Sequence, residues 1–332
     1  MTDKAQKTIG WGILATGWIA ELFTKDLILA GHRVAAVGSR TQAGADRFAA
    51  THGIARAHGS YADLVADPAV DVVYVATPHP QHAEAAKLAL NAGKHVLVEK
   101  AFTLNAAQAE EIVALAEARG LVLLEAMWTR FLPHMVALRA VIAQGMIGEV
   151  RSLTADHRQK LPDDPAHRLN ALDLGGGALL DLGIYPISFA WDILGAPQTI
   201  AAQASFHATG ADRQVATVFG YGSGALATTL SSSDSAGPNR AAIVGTKGRI
   251  EIDRTWYAPT AFRVYDTDNQ VIHSFDGSVG GRGMQFQAAE VEALIATGGV
   301  STIMPPRQSV AIMATLDEIR RQIGLRYPSE GA

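Results

Sequence analysis

The chain has no cysteine among its 332 residues. That absence excludes disulfides, thiolate metal sites and a cysteine nucleophile, and it fits a reducing, cytoplasmic setting. A charge excess of one sign is missing too: 28 Lys and Arg stand against 32 Asp and Glu, for a formal net charge of -4. Such a balance carries no footprint for nucleic acid or an anionic membrane, so the expected partner is a small molecule. No window reaches the roughly 18 uninterrupted apolar residues of a membrane span. The apolar run from Ile9 to Ala20, behind Lys4 and Lys7, is broken by Gly10, Gly12, Thr16 and Gly17 and passes straight into a helical pattern, which argues against a secretory leader. No histidine pair has the spacing of a zinc helix, and no metal site is expected. Internal repeats and low-complexity segments are absent.

What is present is apolar mass: 48% of residues are hydrophobic and 18% charged, over a length beyond what one core usually supports. Two domains are expected, a nucleotide-binding domain over 1–126 and a substrate-binding and dimerising domain over 127–332. In the first, β-branched runs at 9–14, 33–37, 72–75, 96–98 and 122–124 alternate with helical stretches at 19–30, 43–52, 81–92 and 106–119, which predicts βαβ units on a parallel sheet. Pro80 is placed to begin one helix and Asn105 to cap another, while Gly31, Gly93 and Gly120 follow helical stretches. From 127 onward the pattern changes to longer alternating runs at 150–156, 200–207, 215–219, 225–231, 241–244, 249–252, 262–265 and 271–275. These predict a large, mostly antiparallel sheet covered on one face by helices at 178–194, 284–296 and 309–323, after a helix at 134–144. The fold class is α/β, a Rossmann doubly wound sheet followed by an α/β domain with an open sheet.

The candidate chemistry begins at the first βα turn, "ILATGWIA". Gly17 and Ala20 occupy the second and third small positions of a dinucleotide fingerprint, and Ala15 stands where the first glycine is usual. Small residues there let the backbone N–H groups of Ala15, Thr16, Gly17, Trp18 and Ile19 approach a pyrophosphate. An ordinary tight turn gives the same pattern, and its place as the first turn of a βαβ series favours the cofactor. Where an NAD site commonly has an acidic residue, the second strand ends in "VGSR". Ser39 and Arg40 offer a hydroxyl and a planar guanidinium to a 2′-phosphate, so NADP is preferred over NAD unless Arg40 is only a solvated loop residue.

Thr77 and Pro78 lie at the carboxyl end of a central strand, where open α/β sheets bind ligands. His79 is placed to face the substrate, and His82, one turn on, to cap the helix or reach the cofactor. The fifth strand, "HVLVEK", finishes on Glu99 and Lys100, which reads either as a solvated end or as a charge delivered to the crevice. Downstream, "LGGGALLDLGIYP" carries three consecutive glycines and then Asp181 and Tyr185, four apart and so on one helical face. Taken alone, that pair reads as a buried hydrogen-bonded couple or as catalytic groups. Arg130 either touches cofactor or substrate or braces the domain junction. His157 and Arg168 are further substrate candidates, and Trp128, Trp191 and Trp256 read as core.

These segments together resemble the Gfo/Idh/MocA oxidoreductases. The likeness runs over nearly the whole chain through "GILATGWIA", "VYVATPHPQHAEAAKLALNAGKHVLVEKAF" and "GGGALLDLGIYP", in order and spacing. "EAMWTRFLP" and Tyr185 are most similar to the branch of dimeric dihydrodiol dehydrogenases and NADP-dependent D-xylose 1-dehydrogenases. The resemblance implies an NADP-dependent enzyme acting on a sugar or related cyclic alcohol, often dimeric through the second sheet. It also implies that Lys100 is the lysine of the family's Glu-Lys-Pro motif, with Asp181 and Tyr185 the polar pair of the second domain. Ala101 replaces the motif's proline, which predicts a less constrained backbone behind Lys100. In the expected chemistry Tyr185 exchanges the hydroxyl proton while Lys100, Asp181 and Glu99 support it. A cation about 4 Å from the phenol contributes roughly 4 kcal/mol at an effective dielectric of 20, enough to lower its pKa by at most about three units. The alternatives are a trans-dihydrodiol dehydrogenase, a keto-sugar reductase, or a non-catalytic NADP-binding sensor.

Overall fold

The computed structural model describes residues 8–330. Its first half follows the alternation read above: β1 (Gly10–Leu14), α1 (Trp18–Leu29), β2 (Arg33–Gly38), α2 (Gln42–His52), β3 (Ala57–His58), α3 (Tyr61–Ala66), β4 (Val72–Val75), α4 (His82–Asn91), β5 (His95–Glu99), α5 (Ala106–Arg119) and β6 (Leu123–Ala126). The strands form one parallel sheet in the order β3-β2-β1-β4-β5-β6. Strand order reverses between β1 and β4, which opens a crevice at their carboxyl ends. Two elements were not expected from sequence. β3 is two residues long, and α3 is a six-residue helix started by the Ser60 hydroxyl, which accepts the Asp63 N–H. Pro80 lies inside a short 3-10 turn, His79–Gln81, and α4 begins only behind it.

The second half contains α6 (Pro133–Ala143), β7 (Val150–Arg158), α7 (Ile184–Leu194), β8 (Thr199–Phe206), β9 (Asp212–Gly220), β10 (Leu226–Ser232), β11 (Ala241–Gly245), β12 (Gly248–Ile252), β13 (Phe262–Asp266), β14 (Val271–Phe275), α8 (Gln285–Thr297) and α9 (Pro306–Ile323). Its sheet runs β14-β13-β12-β11-β7-β10-β9-β8 and is antiparallel except for the β7/β10 pair. Buried and exposed residues alternate along β9 and β10, as a sheet covered on one face requires. The boundary expected at 126 is bridged by α9, which returns to α5, where Asp317 accepts the Ala106 N–H and Asn105 donates to Glu330.

The helix expected over 178–194 is not uniform. It opens as a π-helical turn, Leu179–Gly183, and becomes α-helical only at Ile184. The glycines before it serve internal packing. Gly177 sits at φ +126, and a Cβ there would fall 1.9 Å from Asp212 Oδ1, the carboxyl whose Oδ2 accepts the Leu179 N–H at 2.6 Å. By composition 172–194 is long and apolar enough to cross a membrane, but 83% of its 18-residue apolar window is buried inside the protein.

Candidate active site

At the first βα turn, Ala15 adopts φ +85, the left-handed conformation that makes glycine usual at this position. Gly17 is the N-cap of α1 without a side-chain cap, and a Cβ on it would meet nothing within 4 Å. The space beside the start of α1 is therefore open at Gly17, which suits a pyrophosphate at this helix end. Thr16 Oγ1 and Ser39 Oγ lie 3.5 Å apart, and Arg40, exposed at the end of β2, makes no ion pair among the described residues. The turn thus fits a dinucleotide. Thr77 is buried at the end of β4 with its hydroxyl unpartnered, and Pro78 is exposed beside it.

Lys100 follows β5 and reaches across the domain boundary. Its Nζ donates to the Asp181 carbonyl at 2.8 Å and to Asp181 Oδ1 at 3.2 Å, and it stands 5.0 Å from the centroid of the Tyr185 ring. Arg168, half exposed, adds its guanidinium 3.4 Å from the same Asp181 oxygen. Burial works against both charges, yet each stabilises the other: Lys100 is raised above its ordinary value and Asp181 is held far below the usual carboxylate range. Glu99 accepts a hydrogen bond from Tyr74 and from the Lys100 N–H, while burial raises its own pKa.

Ala101 does not leave this backbone loose. His82 Nδ1 and Nε2 lie 2.9 and 2.8 Å from the carbonyls of Ala101 and Thr77, and His79 Nε2 lies 3.2 Å from the Lys100 carbonyl, with Nδ1 toward Gly175. One expectation is corrected here: His82 is buried with both ring nitrogens turned to backbone, so it is not a surface cap, and His79 is buried with its ring nitrogens toward backbone carbonyls. Burial, aided by neighbouring His82 and Lys100, depresses His79 to about 3, so it stays neutral near pH 7.

Tyr185 sits at the start of α7. Its hydroxyl accepts the Trp128 indole N–H at 2.9 Å, so Trp128, read as core, holds the phenol oxygen in place. His157 lies edge-on to Tyr185 with centroids 4.9 Å apart and stacks on Tyr257 at 3.7 Å, and burial pushes its pKa to about 3. Burial raises the phenol and outweighs Lys100, which pulls it down as expected, so Tyr185 ends above its ordinary value. Arg130 is 2% exposed and donates to Ser188 Oγ, Ser188 O, Ile303 O and Gln308, all in the second half of the chain. Tyr257, far along the chain, was missed because no local pattern separates it from a core aromatic.

A parallel sheet with a nucleotide turn at its switch point, joined to an open-sheet domain that closes an ammonium, a carboxylate and a phenol over the same crevice, defines a two-domain dehydrogenase architecture. The chain belongs to the GFO/IDH/MocA oxidoreductase family: residues 9–127 match its NAD-binding Rossmann domain and residues 135–251 its C-terminal domain. It is 38% identical to the trans-1,2-dihydrobenzene-1,2-diol dehydrogenase of Mus musculus over 330 residues, covering 96% of this chain and 98% of that one. It is 36% identical to the NADP(+) D-xylose 1-dehydrogenase of Hypocrea jecorina, covering 97% and 93%. Among solved structures, a 3-ketoreductase from Actinomadura kijaniata in complex with NADP and TDP-benzene superposes with a TM-score of 0.83 at 27% identity, covering 96% of this chain and 98% of that one.

Proposed function

We propose that this protein is an NADP-dependent oxidoreductase acting on a CH–OH group of a sugar or related cyclic alcohol, with residues 1–126 binding nucleotide and 127–332 binding substrate. The observation that carries the reading is the convergence of Lys100 from the nucleotide half with Asp181 and Tyr185 from the other half. Ala15, Thr16, Gly17, Trp18 and Ile19 would hold the pyrophosphate, and Ser39 and Arg40 the 2′-phosphate. When bound, NADP supplies the two-electron exchange at the carbinol carbon.

The chain's own groups handle the proton. The Tyr185 Oη gives or takes the proton of the substrate oxygen, while Lys100 offers that oxygen a cation and Asp181 keeps the lysine charged and aimed. The phenol is protonated near neutral pH, as an ordinary tyrosine is, and burial raises its pKa further. The likeness to a 3-ketoreductase supports a second reading, keto-sugar reduction, beside alcohol oxidation. The exposed face of the second sheet, with Val218, Leu226 and Val244 in solvent, supports a homodimer through that face, and the cysteine-free chain supports a cytoplasmic setting. Steady-state assays with NADP and NAD across aldoses, inositols, dihydrodiols and keto-sugars test the reading. Turnover with one of these classes and NADP is expected, and none with any of them refutes it.

A further inference from the structure

Facing the first βα turn is a short strap from the second domain, residues 280–283. Asp26 on α1 fastens it: its carboxylate accepts the Arg282 N–H at 3.0 and 3.1 Å and the Met284 N–H at 2.8 Å. Gly281 and Gly283 have φ +69 and +95, and a Cβ on Gly281 would fall 2.4 Å from Asp26 Oδ1, so the strap lies tight against the helix. This fastening decides where the Arg282 side chain goes. Its guanidinium lies 5.4 Å from the ring centroid of Trp18 and 4.9 Å from that of Trp128. Trp18 is the first residue of α1, 65% exposed, and Trp128 is the residue that donates to the Tyr185 hydroxyl. Arg282 therefore stands between the nucleotide turn and the phenol.

The guanidinium has no hydrogen bond and no ion pair with any described residue, and its Nε is buried without a partner. Arg282 is half-buried, and a buried guanidinium N–H without an acceptor is unfavourable, which two indole faces offset only in part. The helix end opposite carries about half a unit of positive charge, too little for a pyrophosphate alone. We propose that Arg282 is an anion clamp that closes on the cofactor pyrophosphate from the second domain, so that each domain holds one side of the nucleotide. The inference rests on the NADP reading above. A planar fork matches two phosphate oxygens, and Trp18, against whose ring it lies, begins α1.

The test is calorimetric titration of wild type and Arg282→Met, whose stem retains the packing on the indoles, with NADP and with 2′-AMP, which has the 2′-phosphate but no pyrophosphate. The clamp predicts a Kd for NADP raised about 10- to 100-fold, a weaker salt dependence, unchanged 2′-AMP affinity, an unchanged melting temperature without ligand, and partial recovery in Arg282→Lys. Equal NADP affinity in Arg282→Met overturns the clamp while leaving the functional reading intact. Parallel weakening of both ligands, or a lower ligand-free melting temperature, assigns Arg282 a structural role and also overturns it. A wild type that binds no NADP overturns both.

Discussion

The two sheets present their chemistry in opposite ways. The parallel sheet is buried on both faces, with β1, β4 and β6 fully enclosed, so it offers polar groups only where its strands end: the 15–19 turn, Thr77, and Glu99 with Lys100. The antiparallel sheet covers one face with α7 and sets functional groups on that helix and on the sheet beneath it, Asp181 and Tyr185 above, His157 on β7. Strand ends are rigid, and they hold a lysine whose backbone is gripped by two histidines and a glutamate. The helix side supplies what must be desolvated. The difference teaches that the cation comes from one domain, while the carboxylate that keeps it charged and aimed, and the phenol beside it, come from the other.

That division can be broken from either side. Lys100→Met removes the strand-end cation and Tyr185→Phe the buried phenol. Each is expected to lower kcat by about 10²- to 10⁴-fold with NADP affinity nearly unchanged, as read by turnover and nucleotide titration. Near-normal turnover in both would remove the convergent site. The nucleotide end sharpens the comparison through Arg40→Ser: the NADP over NAD ratio of kcat/KM should fall about 10- to 100-fold, and a ratio that holds would mean Arg40 is merely solvated.

A smaller effect is expected from Trp128→Phe, which removes the hydrogen bond that helps lower the Tyr185 pKa. The phenol must lose its proton before it can act as a base, so oxidation should rise with pH into the alkaline range. In the variant that rise should shift to higher pH, with kcat near pH 7 about tenfold lower. An unmoved profile would break the link between the indole and the phenol.

The smallest effect concerns stability alone. Glu125 at the end region of β6 is fully buried, and burial, against the pull of neighbours such as Ser309 and Arg130, raises its pKa from 4.5 to about 7. A raised carboxyl pKa contributes stability in full below about 4.5, and that contribution is lost as pH rises through about 7. Glu125→Gln should therefore flatten the fall in stability between those values and gain about 2 kcal/mol at pH 8 in denaturant unfolding. Equal pH profiles would show that the carboxyl is already charged in the fold.

Much of the site was legible because its signals are local. The small-residue turn, "VGSR", "VEK" and the glycine run ahead of Asp181 and Tyr185 each sit at a periodicity break, where a strand or helix ends and a side chain has no packing duty. β3 and α3 escaped notice since two and six residues are too few for a period to show. His82 misled because a polar residue just past a strand end looks the same from the chain whether it faces solvent or a buried carbonyl.

The amino-acid order by itself determined the two-sheet architecture, the nucleotide turn and the identity of the lysine, carboxylate and phenol, since all follow from hydrophobic period and short-range backbone needs. Tertiary structure alone decided that Trp128 holds the phenol, that Arg130 is buried among its acceptors, that Arg282 stands unpaired between Trp18 and Trp128, and that burial moves the Tyr185 pKa up. Those properties depend on burial and on partners tens to hundreds of residues away, and desolvation is a property of the packed volume around a group, which no local stretch of chain contains.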